Sequence, residues 1–582
     1  MTSAKTSAID QTSQPAQPGH PPGWSVPETF PCLKPLSEQE QSLALKTALT
    51  HLGHAAWLED AFKGLGSGMT LACLRERIAT AVLNATFEQQ EAILKTQMAT
   101  PLPAALAQSA ERYVQQFGWP HLVALAGPRR AGMTHETLAS QLERRLAHPV
   151  DHERRVSVQE VLRTLEIAFD PLLNTEPVVG DRLWDWHEDL TRHSDQEGAL
   201  TVTFMTAAHQ QVALDLADRM SQCGCDEVHI DDLGNVVGVY HGQDPEAPRL
   251  LTGSHYDTVR NGGRYDGRLG ILLPLACIDV MHQQGIRPAR GIEVIGFSEE
   301  EGQRFAATFL ASGAVTGKFN YDWLDQTDAN GISMREAIEA AGHNIEGIAS
   351  IKRDPARYRG FVEVHIEQGP VLNNKGLSLG VVTSINGGVR FKGQIKGLAG
   401  HAGTTPMIQR QDAACAAARI ILLAQQCALA HPGSVATVGM LQVPNGSINV
   451  IPGLCEFSLD VRAPTDAQRD TVIAAIVKGI REIEASESVC VILNETMRVA
   501  AAPSDPAMQQ HWDNAVRSLG LQPFELPSGA GHDAMKLATV MPQAMLFVRG
   551  ENNGISHNPL ESTTSHDMEL ATAAMLHLIQ SV

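Results

Sequence analysis

The stretch RLLTGSHYDTVRNGGRYDGRLGILLPLACIDVMHQQGIRPARGIEVIGFSEEEG, residues 249–302, decides the fold. It opens on an apolar run, Arg249 to Ser254, that reads as a strand running into His255. A glycine-rich turn follows. Gly270 to Gly285 then has the length and apolar content of a packed helix. Gly291 to Phe297 is a second apolar strand, and it ends on three glutamates. Strand, helix and strand in close succession is the rhythm of an α/β sheet. Polar groups at the ends of its strands are where such a sheet does chemistry.

The rhythm extends in both directions. Thr206 to Cys223 has the apolar spacing of an amphipathic helix, and Glu227 to Tyr240 reads as strand. A break falls at SINGG, Ser384 to Gly388. The segment 387–497 then runs strand, helix, strand, strand, helix, strand, which suits a small α+β, ferredoxin-like insertion. Residues 498–582 return to α/β character. Upstream the pattern is different. Residues 31–175 are helical almost throughout, with apolar spacing such as Leu71, Leu74, Ile78 and Val82. Ser37-x-x-Glu40 and Thr86-x-x-Gln89 are candidate capping boxes. NTEPVVG, Asn174 to Gly180, reads as a linker, and residues 1–30, rich in Pro, Ser, Thr and Gln, as a disordered lead-in. The expected chain is therefore multidomain: all-α at 31–175, α/β at 180–386 and 498–582, and the α+β insertion at 387–497.

A chain of 582 residues has room for three or four such units. Its formal net charge of −20 argues against a nucleic-acid binder and against an anionic membrane surface. The nine cysteines are sparse and form no C-x-x-C, which reads as free thiols in a reducing compartment. Cys223 and Cys225 read as a buried pair at a helix end, with a metal clip as the alternative. No signal peptide or long apolar span is visible, so a cytoplasmic location is expected.

Five clusters carry candidate chemistry. His255 ends a strand, and Asp257, two residues on, can orient it. Asp266 lies between glycines that permit an unusual backbone path, and could bridge two cations. Glu299, Glu300 and Glu301 repel one another unless cations compensate. Glu363, His365 and Glu367 alternate onto one strand face. His557 stands in GISHNP near the end of the sequence. Each alone has an ordinary structural explanation. Together, His255, Asp266, Glu301, His365 and His557 are the set that two divalent ions sharing an aspartate need, with an adjacent Glu as proton acceptor. Nitrogen and oxygen donors without thiolate admit zinc, manganese or cobalt.

The motifs GSHYDTVRNGGRYDG, SEEEGQRF, VEVHIEQGP, GHAGTTPM, NVIPG, SGAGHDAM and GISHNPLE occur here in order. They resemble those of the allantoate amidohydrolase / N-carbamoyl-L-amino-acid hydrolase (β-ureidopropionase-like) group of the aminoacylase metallopeptidase superfamily. The resemblance covers about residues 180–582. It implies that His255, Asp266 and His365 hold one metal, and Asp266, Glu301 and His557 the other. It implies Glu300 as general base, through the register E-E-G-x-R-F, with Glu299 a bystander; a shift of one remains open at this point. Asp257 would orient His255. The insertion would be a lid and dimerisation domain, giving a homodimer. His401 would support the tetrahedral intermediate, and Asn449 and Arg462 would hold a small ureido-carboxylate substrate, with Arg390 a helper.

The helical region resembles a second family. ERYVQQFGWPHLVALAG, Glu111 to Gly127, the helix around Leu142 to Leu146, and HAAWLEDAF, His54 to Phe62, are similar to the 2-oxo-4-hydroxy-4-carboxy-5-ureidoimidazoline (OHCU) decarboxylases of urate breakdown. That family has a His-Pro pair after an A-L-L-R-A helix. Here AILKT, Ala92 to Thr96, is followed by Gln97 and Met98, and Ala168 stands where an Arg is usual. The departure implies a domain without decarboxylase activity, kept for structure, assembly or regulation. The fusion favours allantoate as substrate by analogy with its place downstream of OHCU. An N-carbamoyl-L-amino acid and ureidoglycolate are the alternatives.

Overall fold

A computed structural model describes residues 34–53, 57–58, 68–125, 134–175 and 177–582. The lead-in and most of HAAWLEDAF lie outside them.

The N-terminal region contains α1 (Glu38–His51), α2 (Leu71–Leu83), α3 (Phe87–Thr96), α4 (Ala107–Phe117), α5 (His135–Leu146) and α6 (Val150–Leu173). Ser37 with Glu40 and Thr86 with Gln89 form reciprocal capping boxes, so two orphan donors are satisfied at the start of α1 and of α3. The expected linker is shorter than NTEPVVG. Asn174 ends α6 in the left-handed conformation, but Val178 to Gly180 already belong to α7 (Val178–Leu190). Gly180 lies against the main chain of Ser565, where a Cβ would overlap the Ser565 carbonyl, and its N–H donates to Glu569 at 2.7 Å.

After α8 (Ala207–Gln222) come β1 (Glu227–Ile230), β2 (Val236–Tyr240) and β3 (Arg249–His255). The expected single strand over Glu227 to Tyr240 is in fact a hairpin. Asp231 takes the N–H groups of Leu233 and Asn235 at 3.0 Å each, an Asx-type turn that reverses the chain. Next are α9 (Leu269–Gln283), β4 (Ile292–Phe297), β5 (Tyr358–Ile366) and β6 (Leu379–Ile385). The insertion follows: β7 (Gly387–Lys396), β8 (Gly400–His401), α10 (Ala413–Leu429), β9 (Val435–Thr437), β10 (Leu441–Gln442), β11 (Val450–Ile451), β12 (Leu454–Ala463), α11 (Asp466–Glu487) and β13 (Cys490–Val499). The chain closes with β14 (Ala502–Pro503), α12 (Pro506–Ser518), β15 (Glu525–Ser528), β16 (Gln543–Val548) and α13 (Ser565–Ser581).

The larger sheet has nine strands in the order β1-β2-β4-β3-β5-β16-β6-β14, with β15 also on β6. Its centre, β4-β3-β5-β16, is parallel. Both faces are buried, as parallel strands require. Along β16, Ala544, Leu546 and Val548 join the apolar cluster on one face, and Met545 and Phe547 the cluster on the other. The first cluster does not stop at the sheet. It runs without interruption through α9, α13 and α7 into Leu74, Val158, Leu165 and Phe169 of the N-terminal helices. No described helix is long and apolar enough to cross a membrane.

The insertion carries its own five-stranded antiparallel sheet, β10-β12-β7-β13 with β9 on β12. Inward residues of β12, such as Cys455, Phe457, Leu459 and Val461, pack with α10 and α11, and the strand's other face is only half-buried. Such alternation marks an antiparallel sheet covered on one side.

Candidate metal centre

The parallel centre of the sheet fixes where the chemistry can be. His255 ends β3, Ser298 to Glu301 follow β4, and His365 lies near the end of β5. The segment 549–562, with His557, follows β16. All four sit at the carboxyl ends of adjacent parallel strands, where the chain must turn and side chains converge.

Asp266 is the point of convergence. Its Oδ1 lies 3.5 Å from His255 Nε2 and 3.3 Å from His365 Nε2. Its Oδ2 lies 3.2 Å from His557 Nε2, which is 3.5 Å from Glu301 Oε1. The two carboxylate oxygens thus face two different donor sets, His255 with His365 and His557 with Glu301. Both inner imidazoles are oriented from behind. His255 Nδ1 is 3.1 Å from the Asp257 carbonyl, and His365 Nδ1 is 2.8 Å from the Ile366 carbonyl. A proton on each Nδ1 leaves each Nε2 free to ligate.

The donor chemistry fits divalent cations. Four carboxyl groups, Asp257, Asp266, Glu300 and Glu301, crowd three imidazoles. Burial first, then the negative charges of Glu301, Asp533 and Asp257, push the Glu300 carboxyl well above the usual range, although His255 pulls the other way. Glu301 is pushed up to about 7 by burial and Asp266. Positive charge placed between these groups would relieve that cost.

Backbone conformation supports the same focus. Asn261, Gln368 and His557 all have positive φ, at 51°, 56° and 53°. Non-glycine residues held there cluster at functional sites. Gly267, with φ of 67°, packs directly on the His255 ring, where a Cβ would not fit.

The acidic loop is held by Asp257. Its Oδ1 accepts the Glu300 N–H and its Oδ2 the Glu301 N–H, each at 3.1 Å. Glu299 is 2% exposed and accepts the Gly302 N–H at 2.5 Å. Of the alternating triplet on β5, Glu363 and His365 point inward. Glu367 lies past the strand end and caps the short helix at Val371–Lys375, accepting Val371 N–H at 2.7 Å and Leu372 N–H at 2.8 Å.

Several participants escaped the sequence reading. Glu561, the last residue of GISHNPLE, accepts the N–H groups of Tyr265 and Asp266 at 2.9 and 3.0 Å. Its other oxygen is 2.7 Å from the Ser556 hydroxyl. Gln368, from VEVHIEQGP, donates to Asp266 Oδ2 at 2.8 Å. His532, from SGAGHDAM, packs its ring 4.5 Å from that of His365. These residues lie inside the quoted motifs, so their positions were visible although their roles were not. Arg268 is fully buried, and its two terminal nitrogens have no hydrogen-bond partner among the described residues. Burial lowers it to about 10, while Asp257 and Glu561 favour its charge.

The four residues expected to hold substrate lie on the insertion. Arg390 and Arg462 share Asp460: Arg390 Nε is 2.9 Å from Oδ2 and Arg462 Nε 3.0 Å from Oδ1. Arg462 also reaches the Gly529 carbonyl at 2.8 Å, in the turn that carries His532. His401 pairs with Val450 on the β8–β11 ribbon, Asn449 just before β11 takes the Ala402 N–H at 2.9 Å, and His401 and Asn449 are both exposed. Among the described residues, none of His401, Asn449 and Arg390 makes a hydrogen bond or ion pair with the Asp266 cluster.

A family model described as Peptidase family M20/M25/M40 matches residues 251–581. The chain belongs to that family. The candidate site residues, from His255 at the end of β3 to Glu561 after β16, fall inside the match. A second model, OHCU decarboxylase, matches residues 44–167, so an OHCU decarboxylase domain is fused ahead of the M20 part. An N-carbamoyl-L-amino acid amidohydrolase of Geobacillus stearothermophilus is 37% identical over 69% of this chain and 98% of its own length. Allantoate deiminase 1 of Glycine max is 35% identical over 71% of this chain and 90% of its own. Among solved structures, an amidase of the hydantoinase/carbamoylase family from Burkholderia multivorans superposes with a TM-score of 0.65 at 34% identity, covering 69% of this chain and 97% of that one.

Proposed function

We propose that this M20/M25/M40 member is a two-metal amidohydrolase that cuts the ureido group of allantoate, with water, to ureidoglycine, ammonia and carbon dioxide. The observation that carries the reading is Asp266, whose two oxygens face separate histidine and carboxylate sets beside Glu300. The kinship with enzymes named for allantoate and for N-carbamoyl amino acids supports the substrate class. The fused OHCU decarboxylase domain favours allantoate within that class.

In this reading His255, Asp266 and His365 hold one ion, and Asp266, Glu301 and His557 the other; the donors suit zinc, manganese or cobalt. The bound ions would supply Lewis-acid polarisation of the carbonyl and a more acidic water. Glu300, presented by Asp257 through the main chain, takes the proton of the attacking water and delivers it to the leaving nitrogen. Arg462 and Asn449 hold the substrate carboxylate, Arg390 assists, and His401 supports the tetrahedral intermediate.

In this reading the chain forms a homodimer in which the insertion, with His401 and Asn449, serves the partner's site. Leu422 and Leu429 on α10 are 57% and 78% exposed. Val435, Met440 and Leu441 at the neighbouring sheet edge are also exposed. An apolar helix face beside an open strand edge suits pairing with a second copy.

The helical region is assigned no decarboxylase activity. Gln97 stands where the related family has its histidine, and it donates to the carbonyls of His51 and Ile93 at 2.9 and 3.2 Å. Met98 beside it is 91% exposed.

The test is ammonia release from allantoate, N-carbamoyl-L-amino acids and ureidoglycolate, side by side. Allantoate is expected to give the highest kcat/KM. Turnover of carbamoyl amino acids alone would transfer the assignment to that class.

A further inference from the structure

The N-terminal helices reach the metal-site segments through two arginines. Arg144 on α5 donates to Glu188 Oε1 at 3.3 Å and to the Thr191 carbonyl at 3.0 Å. Glu188, on α7, is fully buried, and its other oxygen takes the guanidinium of Arg264. Arg264 stands two residues before Asp266, in the turn Asn261–Gly267. Arg163 on α6 donates to the Ser562 hydroxyl and lies 3.8 Å from Glu551 Oε2. The Ser562 hydroxyl in turn donates to Glu551 Oε2 at 2.5 Å. Ser562 adjoins Glu561, the carboxylate that accepts the Asp266 N–H and touches Ser556 beside His557. Each arginine therefore grips one of the two segments that meet at Glu561.

Packing alone does not call for this arrangement. The apolar cluster already joins the helices to the sheet. Burying guanidinium and carboxylate groups in addition carries a desolvation cost, and what such pairs provide is direction and register. The Geobacillus relative matches 69% of this chain over 98% of its own length, so nearly a third of this chain has no counterpart there.

We propose that the OHCU decarboxylase-like region is a positioning element of the metal centre, with Arg144 acting through Glu188 and Arg264, and Arg163 through Ser562 and Glu551, to hold Asp266 and the His557 segment in register. This rests on the two-ion reading above. Neither arginine touches the reacting atoms; both are positioning residues.

The test is zinc titration of chelator-stripped full-length protein against a chromophoric competitor. It compares wild type with Arg144→Met, Arg144→Lys, Arg163→Met and Arg163→Met/Glu551→Gln. The last variant removes the carboxylate that Arg163→Met would leave uncompensated, and it decides the matter if the single variant does not fold. The Met variants are expected to weaken at least one ion's affinity about tenfold, the scale of outer-contact losses in metal sites. Arg144→Lys is expected to recover part of the loss, and KM to stay within twofold of wild type. Folded Met variants that bind both ions as tightly as wild type would overturn the inference. Wild type that, titrated in the same way, binds neither zinc nor manganese nor cobalt would instead overturn the two-ion reading, and this inference with it.

Discussion

Asp257 Oδ2 accepts the main-chain N–H of Glu301 at 3.1 Å. The same carboxylate takes the Glu300 N–H, and its Oδ1 stands 3.3 Å from His255 Nδ1. One aspartate thus aligns a ligand of each proposed ion and the proposed base. Asp257→Asn keeps the shape but turns one oxygen into a donor facing an N–H. Hydrolysis should fall 10–100-fold, about the effect of losing an outer contact in a metal site, with zinc affinity falling alongside. Metal content by elemental analysis and kcat on the same preparation check this.

Glu300→Gln removes the proton acceptor without removing a proposed ligand. kcat should drop by about 10²–10⁴, the usual contribution of general base catalysis, while two ions per subunit remain. Full activity in that variant would move the base elsewhere in the loop.

The exposed face of α10 gives a prediction about assembly. Leu422→Glu/Leu429→Glu places two charges on it. Sedimentation velocity should show a monomer where wild type shows a dimer. Activity should fall with dimer content, because His401 and Asn449 would no longer meet a partner's site. A fully active monomer would refute the shared site.

The helical region holds a buried carboxylate that makes its stability sensitive to acid. Burial pushes the Glu153 carboxyl up, but the charge of Arg145 and hydrogen bonds from His148 and Arg145 more than reverse this, to about 2 against an ordinary 4.5. The folded value is depressed, so the contribution to stability is complete above pH 4.5 and is lost as pH falls through 2. The shift corresponds to about 3 kcal/mol. Urea melts of wild type and Glu153→Gln should differ most near pH 5 and converge towards pH 2. A difference independent of pH would contradict the assignment.

The candidate site is more legible in the sequence than the contacts that support it. His255, Glu301 and His365 stand out because apolar strands end on groups that repel or ligate, Asp266 because glycines flank it, and His557 through the motif GISHNP. Strands, once recognised, place such residues at one edge. Glu561 and Gln368 stood within the same motifs but act through main-chain and amide contacts that no residue pattern announces. The β1–β2 hairpin turns on Gly234, at φ 78°, and on the Asp231 side chain; a single glycine inside a strand-like run is a weak signal beside the side-chain contacts that close the turn. Arg144, Glu188 and Arg264 are far apart in sequence and come together only through tertiary packing. The positions of His401 and Asn449 relative to the Asp266 cluster would, in the proposed homodimer, depend on assembly, which a single chain's pattern does not encode.

The central claim is that two ions at Asp266 are required for ureido hydrolysis. Ammonia release from allantoate is measured as zinc, manganese or cobalt is added stepwise to chelator-stripped full-length protein. The account predicts no release without metal and a plateau at two equivalents per subunit for the productive metal. Release that persists in the stripped protein, or that saturates at one equivalent, would contradict it.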